Sequence, residues 1–139
     1  MLKASIEDIM SEHIVTIPSD ETVKQAAHLL LRFRINGILL VDRKDKNKLM
    51  GVFTTTDLLN LLHNAMSIGG GRMNELERIA NMPVAKVATS EVIAVQKDVK
   101  IERLISIMHK KNVHTIPVYD KDKLLGVVGR HDVLNAAFA

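Results

Sequence analysis

The strongest constraint on the fold of this chain is an internal duplication. An offset of 78 positions places residues 14–17 over 92–95 and residues 38–42 over 116–120, with similar side chains at matched positions. After a three-residue deletion the offset becomes 75, which places Asp57 over Asp132. A fixed period of similar segments is the mark of a repeated structural unit. The chain therefore consists of two copies of one unit of roughly 55 residues.

Each copy carries the pattern strand, helix, strand, strand, helix. In the first copy, residues 14–17 form a short β-branched run that predicts a strand. Ser19 or Asp20 is a candidate N-cap for the helix that follows. The apolar runs 37–41 and 49–54 are long enough for buried strands and too short for helices. The helix is predicted from apolar residues at helical spacing, which are Val23, Ala26, Ala27, Leu30 and Phe33. The sequence thus predicts an α+β fold of two βαββα repeats.

The duplication also predicts the domain boundaries. We expect the first repeat over residues 1–63, a linker over 64–81 and the second repeat over 82–139. Three consecutive glycines at 69–71 interrupt regular structure in the linker. Residues 73–80 have the composition of a short helix. The linker serves to connect the repeats, or alternatively as a gate or partner contact.

The composition excludes several kinds of function. The chain has 139 residues and no cysteine, which excludes disulfides, thiolate catalysis and cysteine-ligated metals. No apolar run reaches the roughly 20 residues that span a bilayer, and we expect a cytoplasmic location with no membrane association. The net charge of +3 favours anionic partners. The cations are dispersed, however, and only 3% of residues are aromatic, so no specific nucleic-acid site is expected.

Hydroxyl and carboxyl side chains meet at the predicted junction of the third strand and the last helix. In the first copy, Thr54 and Asp57 have nearly the spacing and chemistry of a capping box, in which each side chain satisfies a free backbone N–H. In the second copy, Gly129 replaces the threonine while Asp132 remains. The reciprocal cap is therefore lost in the second copy although its carboxylate is kept.

The carboxylate in both copies suits a neutral partner with paired hydrogen-bond donors. Free N–H groups at a helix start attract anions, but an adjacent carboxylate repels a phosphate. A ribose diol fits better, because its two hydroxyls donate to one carboxylate. Arg130 and His131, beside Asp132, are candidates for holding a phosphate. The second copy is therefore better suited than the first to an anionic phosphate.

These residues give the chain a resemblance to a known family. The run Ile-Pro-Val-Tyr-Asp at 116–120 and the pattern Gly-hydrophobic-x-Thr-x-x-Asp at 51–57 resemble the motifs of a tandem cystathionine-β-synthase (CBS) domain pair, or Bateman module. The resemblance extends from about Ile6 to Phe138 and rests on the order, spacing and duplication of the motifs together. It implies two repeats packed with pseudo-twofold symmetry that leave two clefts.

The resemblance implies a regulatory, ligand-binding function. Many members of the family bind AMP, ADP or ATP in the clefts, and some bind S-adenosylmethionine. By this resemblance Thr54 contacts phosphate, Asp57 and Asp132 hold ribose, and strand residues line the adenine pocket. The complete set of expected ligand-binding residues is Thr16, Ile17, Gly37, Ile38, Leu39, Thr54, Thr55 and Asp57 in the first repeat, with Ala94, Val95, His114, Thr115, Ile116, Pro117, Arg130, His131 and Asp132 in the second.

The sequence departs from the pattern of the family at three positions. Gly129 lacks the expected hydroxyl, Leu39 stands where the family often has proline, and Ala94 matches Thr16 of the first copy. We therefore expect two unequal sites. The resemblance also implies a homodimer that transmits its ligand state to a regulated protein.

Two functions remain open at this point. One is a sensor of adenosine nucleotides, and the other is a protein-interaction or dimerisation module that binds no small molecule. An enzyme is not expected, because no constellation supplies a nucleophile, a base and oxyanion donors together. No cofactor and no metal site are expected either, since the six histidines lack paired ligand spacing.

Overall fold

The structure is a computed structural model that describes residues 4–67 and 72–138. The chain divides into two compact units. One unit contains Val15–Val92, and the other combines the chain up to Ile14 with the chain from Ile93 onward. Each unit has its own three-stranded sheet. The mixed α+β class and the two repeats are therefore confirmed.

The elements follow the predicted order in both repeats. They are α1 Ile6–Ile9, β1 Thr16–Pro18, α2 Val23–Phe33, β2 Gly37–Val41, β3 Leu49–Thr54, α3 Thr55–Met66, α4 Arg72–Ala80, a 3₁₀ turn Val84–Lys86, β4 Val95–Gln96, α5 Ile101–Lys111, β5 Thr115–Asp120, β6 Lys123–Gly129 and α6 Arg130–Phe138. The short helix predicted in the linker is present as α4. The three glycines at 69–71 lie outside the described residues. No helix within the described residues has both the length and the apolar character needed to cross a membrane.

The two sheets have the same topology. In the unit Val15–Val92 the strand order is β1-β2-β3, with β1 parallel to β2 and β3 antiparallel to it. In the other unit β4, β5 and β6 repeat this arrangement. The register shifts between Leu40 and Val41 in the first sheet and between Val118 and Tyr119 in the second. The duplication in sequence is thus a duplication of the strand pairing, including its irregularity.

The start of α2 differs from the prediction that Ser19 or Asp20 is the N-cap. The N-cap is Thr22, whose hydroxyl accepts from the backbone N–H of Gln25 while the Gln25 side chain accepts from the backbone of Thr22. Ser19 is not available, because its N–H donates to the Val41 carbonyl and prolongs strand pairing. Asp20 instead accepts hydrogen bonds from both Nε and Nη2 of Arg43. Long-range pairing therefore delays the helix start.

Each sheet packs one face against the helices of its own unit. The core of Val15–Val92 contains Phe53 and Leu40 from the sheet and Ala26 and Leu30 from α2, all fully buried or nearly so. Of the predicted apolar stripe of α2, Val23, Ala26 and Leu30 are buried in the core. Ala27 is only half-buried, and Phe33 is 52% exposed at the helix end. The core of the other unit contains the equivalent buried residues, which are Ile101, Leu104, Met108, Ile116, Val118, Val128 and Val133.

A short segment at the start of each repeat docks on the sheet of the other repeat. We call residues 6–11 and 84–89 the lead segments; the offset of 78 relates them residue by residue. Ile6 is 1% exposed within the core of the unit that holds β6, and Val84 is fully buried in the core that holds β3. Each unit is therefore completed by residues that belong, in sequence, to the opposite repeat.

The lead segments pair with the outer edges of β3 and β6. Ser11 and Val127 exchange two backbone hydrogen bonds, of 2.8 Å and 3.0 Å. Thr89 and Val52 exchange two, of 2.9 Å and 3.0 Å. These isolated antiparallel bridges cover strand edges that would otherwise present unpaired N–H and C=O groups.

The close approach of the lead segments explains one glycine in each repeat. A Cβ added at Gly126 would lie 2.5 Å from the carbonyl oxygen of Ser11, and one added at Gly51 would lie 2.8 Å from that of Thr89. Neither separation leaves room for a side chain. The glycine that opens the repeated Gly-hydrophobic motif is therefore required by packing against the lead segment.

Candidate functional site

The predicted ligand-binding residues of the first repeat gather at one end of its sheet. Thr16 at the start of β1 lies beside Leu39 of β2, and Gly37 at the start of β2 lies beside Thr54 at the end of β3. The N–H of Thr55 donates to the carbonyl of Asn36 at 2.9 Å, which ties the start of α3 to the start of β2. The strand ends and the helix start thus form one local cluster.

The junction between β3 and α3 is a complete capping box. The Thr54 hydroxyl accepts from the backbone N–H of Asp57 at 3.1 Å, and Oδ2 of Asp57 accepts from the backbone N–H of Thr54 at 2.9 Å. Both residues are half-buried. Within residues 4–67 and 72–138, Oδ1 of Asp57 accepts no hydrogen bond. The helix start therefore uses one carboxylate oxygen and leaves the other available.

The residues of the first cluster differ in the solvent exposure of their side chains. Thr16, Thr55 and Asp57 are half-buried, whereas Ile17 and Ile38 lie in the core at 4% and 1% exposure. The two isoleucines can offer a ligand only their backbone. Leu39 is also buried, but it lies on the face of the sheet opposite to the core.

The second repeat has the same backbone arrangement. Thr115 at the start of β5 lies beside Gly129 at the end of β6, and the N–H of Arg130 donates to the carbonyl of His114 at 3.1 Å. This bond is the equivalent of the one from Thr55 to Asn36. Val95 of β4 lies beside Val118 of β5. The strand pairing and the backbone hydrogen bond that position the two clusters are thus the same in both copies.

The side chains at the second junction differ in the predicted way. Oδ2 of Asp132 accepts from the N–H of Gly129 at 2.7 Å, and Gly129 has no hydroxyl to complete a box. Half of the reciprocal cap is therefore present, as the sequence predicts. Within residues 4–67 and 72–138, Oδ1 of Asp132 accepts no hydrogen bond.

Arg130 is held by a residue that the sequence interpretation missed. Its Nη2 donates to Oδ1 of Asn112, at 3.0 Å. Asn112 ends α5 in the left-handed conformation, with φ of 52°, as Arg34 does at the equivalent position after α2. Asparagine is among the residues that adopt this conformation most readily. An asparagine directly after a predicted helix was therefore the available signal.

Exposure separates the remaining predicted residues of the second repeat. His114, Thr115, Arg130, His131 and Ala94 are exposed, whereas Asp132 is half-buried. Ile116 and Pro117 are buried, and Ile116 lies in the core. The second cluster therefore presents a solvent-accessible cation, Arg130, whereas the first has none among its predicted residues.

Each unit also contains a cavity beside its helices. One, of about 400 Å³, lies between β1 and α2 and includes Thr16 and Ile17 in its lining. The other, of about 360 Å³, lies between α5 and α6 and includes Arg130 and Asn112. Neither is lined by Asp57 or Asp132. Among the described residues, no group of three or more histidine, aspartate or glutamate side chains is arranged to hold a metal ion.

Comparison with known proteins finds the same repeat. The sequence profile of the CBS domain matches residues 6–64 and 84–139. Homoserine O-acetyltransferase of Methanococcus vannielii is 30% identical over 131 residues, which are 94% of this chain and 24% of that protein. The chain spans 22–45% of the length of three curated relatives that it matches.

Two solved structures share the fold and contain ligands. The CBS domain pair of protein MJ0100, in complex with 5′-methylthioadenosine and S-adenosyl-L-methionine, aligns with a TM-score of 0.75 and 23% identity over 95% of this chain and 98% of that one. CBSX2 in complex with AMP aligns with a TM-score of 0.73 and 23% identity over 96% of this chain and 95% of that one. At this identity the comparison shows the fold.

Proposed function

Since the chain belongs to the CBS-domain family, we propose that it is a regulatory module that binds an adenosine nucleotide and transmits its ligand state to a partner protein. The observation that carries the proposal is the repeated carboxylate. Asp57 and Asp132 occupy equivalent positions, each with Oδ2 on a backbone N–H and Oδ1 without a hydrogen bond in the described part of the chain. An ionised carboxylate oxygen held in this way is an acceptor for ribose hydroxyls.

The proposal assigns different roles to the two sites. At the first, the hydroxyls of Thr54 and Thr55 and the start of α3 receive the ligand. At the second, Arg130 provides charge for a phosphate and His131 a ring N–H. Arg130 uses one guanidinium N–H on Asn112, and a guanidinium has five donors, so four remain for an anion. The second site is therefore the stronger candidate for AMP, ADP or ATP.

The ligands of the related structures support an adenosine-containing molecule. MJ0100 binds 5′-methylthioadenosine and S-adenosyl-L-methionine, and CBSX2 binds AMP. These ligands share the adenosine group and differ in their charge. S-adenosylmethionine is accordingly the alternative ligand, favoured at the first site because that cluster lacks a cation.

Calorimetry on four proteins tests the proposal. Wild type, Asp57→Asn, Asp132→Asn and the exposed control Asp122→Asn are titrated with AMP, ATP and S-adenosylmethionine. Asparagine keeps an oxygen for the cap and removes the charge. A hydrogen bond to a charged group contributes about 1.5–3 kcal/mol, so each substitution should weaken binding at its own site about 10- to 100-fold. Absence of heat with every ligand, or unchanged affinity in both site variants, would refute the assignment.

A ligand-free interaction module is the second candidate, because specific observations favour it. The complete capping box already explains Thr54 and Asp57. Leu59 and Met66 of α3 are 65% and 61% exposed, and Leu31 of α2 is 69% exposed, whereas Leu58 and Leu61 pack on the core.

The proposed homodimer follows from these exposed helix residues. A dimer would bury the exposed leucines and the methionine, and light scattering measures its mass directly.

A thermal-shift screen separates the nucleotide-binding module from the ligand-free interaction module. A ligand at 100 times its Kd should stabilise the fold by about 2.7 kcal/mol, and only the interaction module predicts that no nucleotide shifts the melting temperature.

A further inference from the structure

The crossed pairing of the lead segments connects each candidate ligand site to the opposite repeat. The lead segment 6–11 is docked in the unit that contains Asp132, and the lead segment 84–89 is docked in the unit that contains Asp57. Both pair with the strand that runs directly into the capping junction. The contacts between site and segment can be followed residue by residue in each unit.

In the unit that contains Asp132, the path is short and runs beside the core. Asp132 accepts from the N–H of Gly129, two residues after Val127, and Val127 exchanges both its backbone groups with Ser11. Val128 and Val133, which adjoin Gly129 and Asp132 in sequence, share one core cluster with Ile6. Movement of the β6–α6 junction therefore acts on the lead segment through hydrogen bonds at one end and through packing at the other.

The unit that contains Asp57 repeats this path. Thr54 lies two residues after Val52, which exchanges both its backbone groups with Thr89. Phe53, fully buried between them in sequence, shares the core cluster with Val84. The two paths are equivalent under the offsets of the duplication, so the coupling belongs to the repeat and not to one copy.

We infer that each lead segment is the output element of the candidate site in the opposite repeat, so that the Asp132 junction controls residues 6–11 and the Asp57 junction controls residues 84–89. The chain continues from each lead segment into the first strand of its own repeat after only a few residues, at Thr16 and Val95. A change at one site is therefore delivered to the strand that begins the other site. By linkage, coupling between two binding sites acts equally in both directions.

Hydrogen exchange on the full chain tests the coupling without any ligand. Asp132→Ala leaves the N–H of Gly129 without its acceptor and should accelerate exchange of residues 6–11 about fivefold, the factor for a lost cap. Residues 84–89 should keep their wild-type rate. Asp57→Ala should give the mirror-image result. Asp122→Ala, in an exposed turn, is the matched control and should change neither segment.

Reverse substitutions protect the test against a variant that unfolds. Ile6→Ala should accelerate exchange of the Gly129 N–H and leave that of Thr54 unchanged, while Val84→Ala should do the opposite. If an alanine variant at Asp57 or Asp132 loses its circular dichroism, the reverse substitution in the same unit, Val84→Ala or Ile6→Ala, provides the test. The inference is overturned if hydrogen-exchange rates change only within the repeat that carries the substitution. It is also overturned if they change equally in both lead segments.

Addition of AMP, which rests on the proposed function, completes the experiment. If calorimetry detects AMP at the Asp132 site, exchange of residues 6–11 should slow more than that of residues 84–89, and Asp132→Asn should abolish the difference. Binding without this difference overturns the coupling. Crossed exchange in the ligand-free variants without AMP binding supports the coupling and counts against the proposed ligand alone.

Discussion

Replacement of Gly126 by alanine should destabilise the protein in a way that only the lead segment explains. The added Cβ would lie 2.5 Å from the Ser11 carbonyl oxygen and 3.1 Å from Sδ of Met10. The carbonyl would have to retreat by roughly 0.9 Å to reach an ordinary contact. Since Ser11 and Val127 are joined by hydrogen bonds of 2.8 Å and 3.0 Å, such a retreat lengthens both beyond the normal range.

The size of the effect follows from these contacts. Loss of two backbone hydrogen bonds lowers stability by about 1–3 kcal/mol, and displacement of buried Ile6 adds to it. Alanine in place of glycine stabilises the folded protein by about 0.4–1 kcal/mol, because it lowers the conformational entropy of the unfolded chain. The net loss is about 2 kcal/mol, or about 4–8 °C in Tm for a chain of this length. Differential scanning calorimetry and urea denaturation measure it.

Two other glycines make this prediction refutable. Gly51→Ala should follow with a smaller loss, because its Cβ would lie 2.8 Å from the Thr89 carbonyl oxygen. Gly129→Ala should leave Tm unchanged or raise it slightly, since the nearest atom would be Oδ2 of Asp132 at an ordinary 3.6 Å. If Gly126→Ala and Gly129→Ala melt together, the packing argument for the repeated glycine is wrong.

Two further predictions concern the capping residues. Thr54→Ala should lower stability by about 1 kcal/mol, and Gly129→Ser should raise it by about 0.3 kcal/mol by supplying the missing hydroxyl; urea denaturation in parallel measures both, and equal midpoints for the two variants would contradict the assignment. The backbone N–H of Ser5 lowers the pKa of Asp8 below its usual value, with a smaller contribution from the Ser5 hydroxyl. The cap of α1 should therefore hold at neutral pH and weaken only as pH falls through that lowered pKa, which NMR titration of the Asp8 carboxyl measures. Ser5→Pro, which removes the N–H, should raise the pKa of Asp8 back to its usual range, and an unshifted wild-type pKa would count against the cap.

The sequence predicted those parts of the fold that depend on local pattern. β2 and β3 have the predicted bounds, because each is a single apolar run closed by glycine or polar residues. The first strand was predicted two residues early, and the N-cap of α2, expected at Ser19 or Asp20, two or three residues early. In both cases the boundary is set by pairing with β2, since Val15 and Ser19 bond to Leu39 and Val41. Pairing between distant segments is not visible in a local pattern.

The candidate site was predictable to a similar extent. The capping box of Thr54 and Asp57 and its half-lost counterpart at Asp132 followed from the spacing of the residues. The bond from Arg130 to Asn112 joins residues 18 positions apart and had only the weak signal of an asparagine after a helix. The lead segments were missed because a four-residue helix and a single bridge have no periodicity. Their signal was the match of Ile6, Ile9 and Ser11 to Val84, Val87 and Thr89 under the offset of the duplication.

The exchange of lead segments has a consequence for how such a protein can arise. A single repeat on its own would have an uncovered edge on its third strand. The glycine of that strand would lack the lead segment that packs against it, and its own lead segment would have no sheet to pair with. Exposed edges of this kind promote aggregation. Two separate copies would cover their sheets only after exchanging lead segments, so the smallest self-sufficient ancestor of this fold is a dimer of single repeats. Fusion of two such copies into one chain keeps the exchanged segments and makes the fold independent of protein concentration.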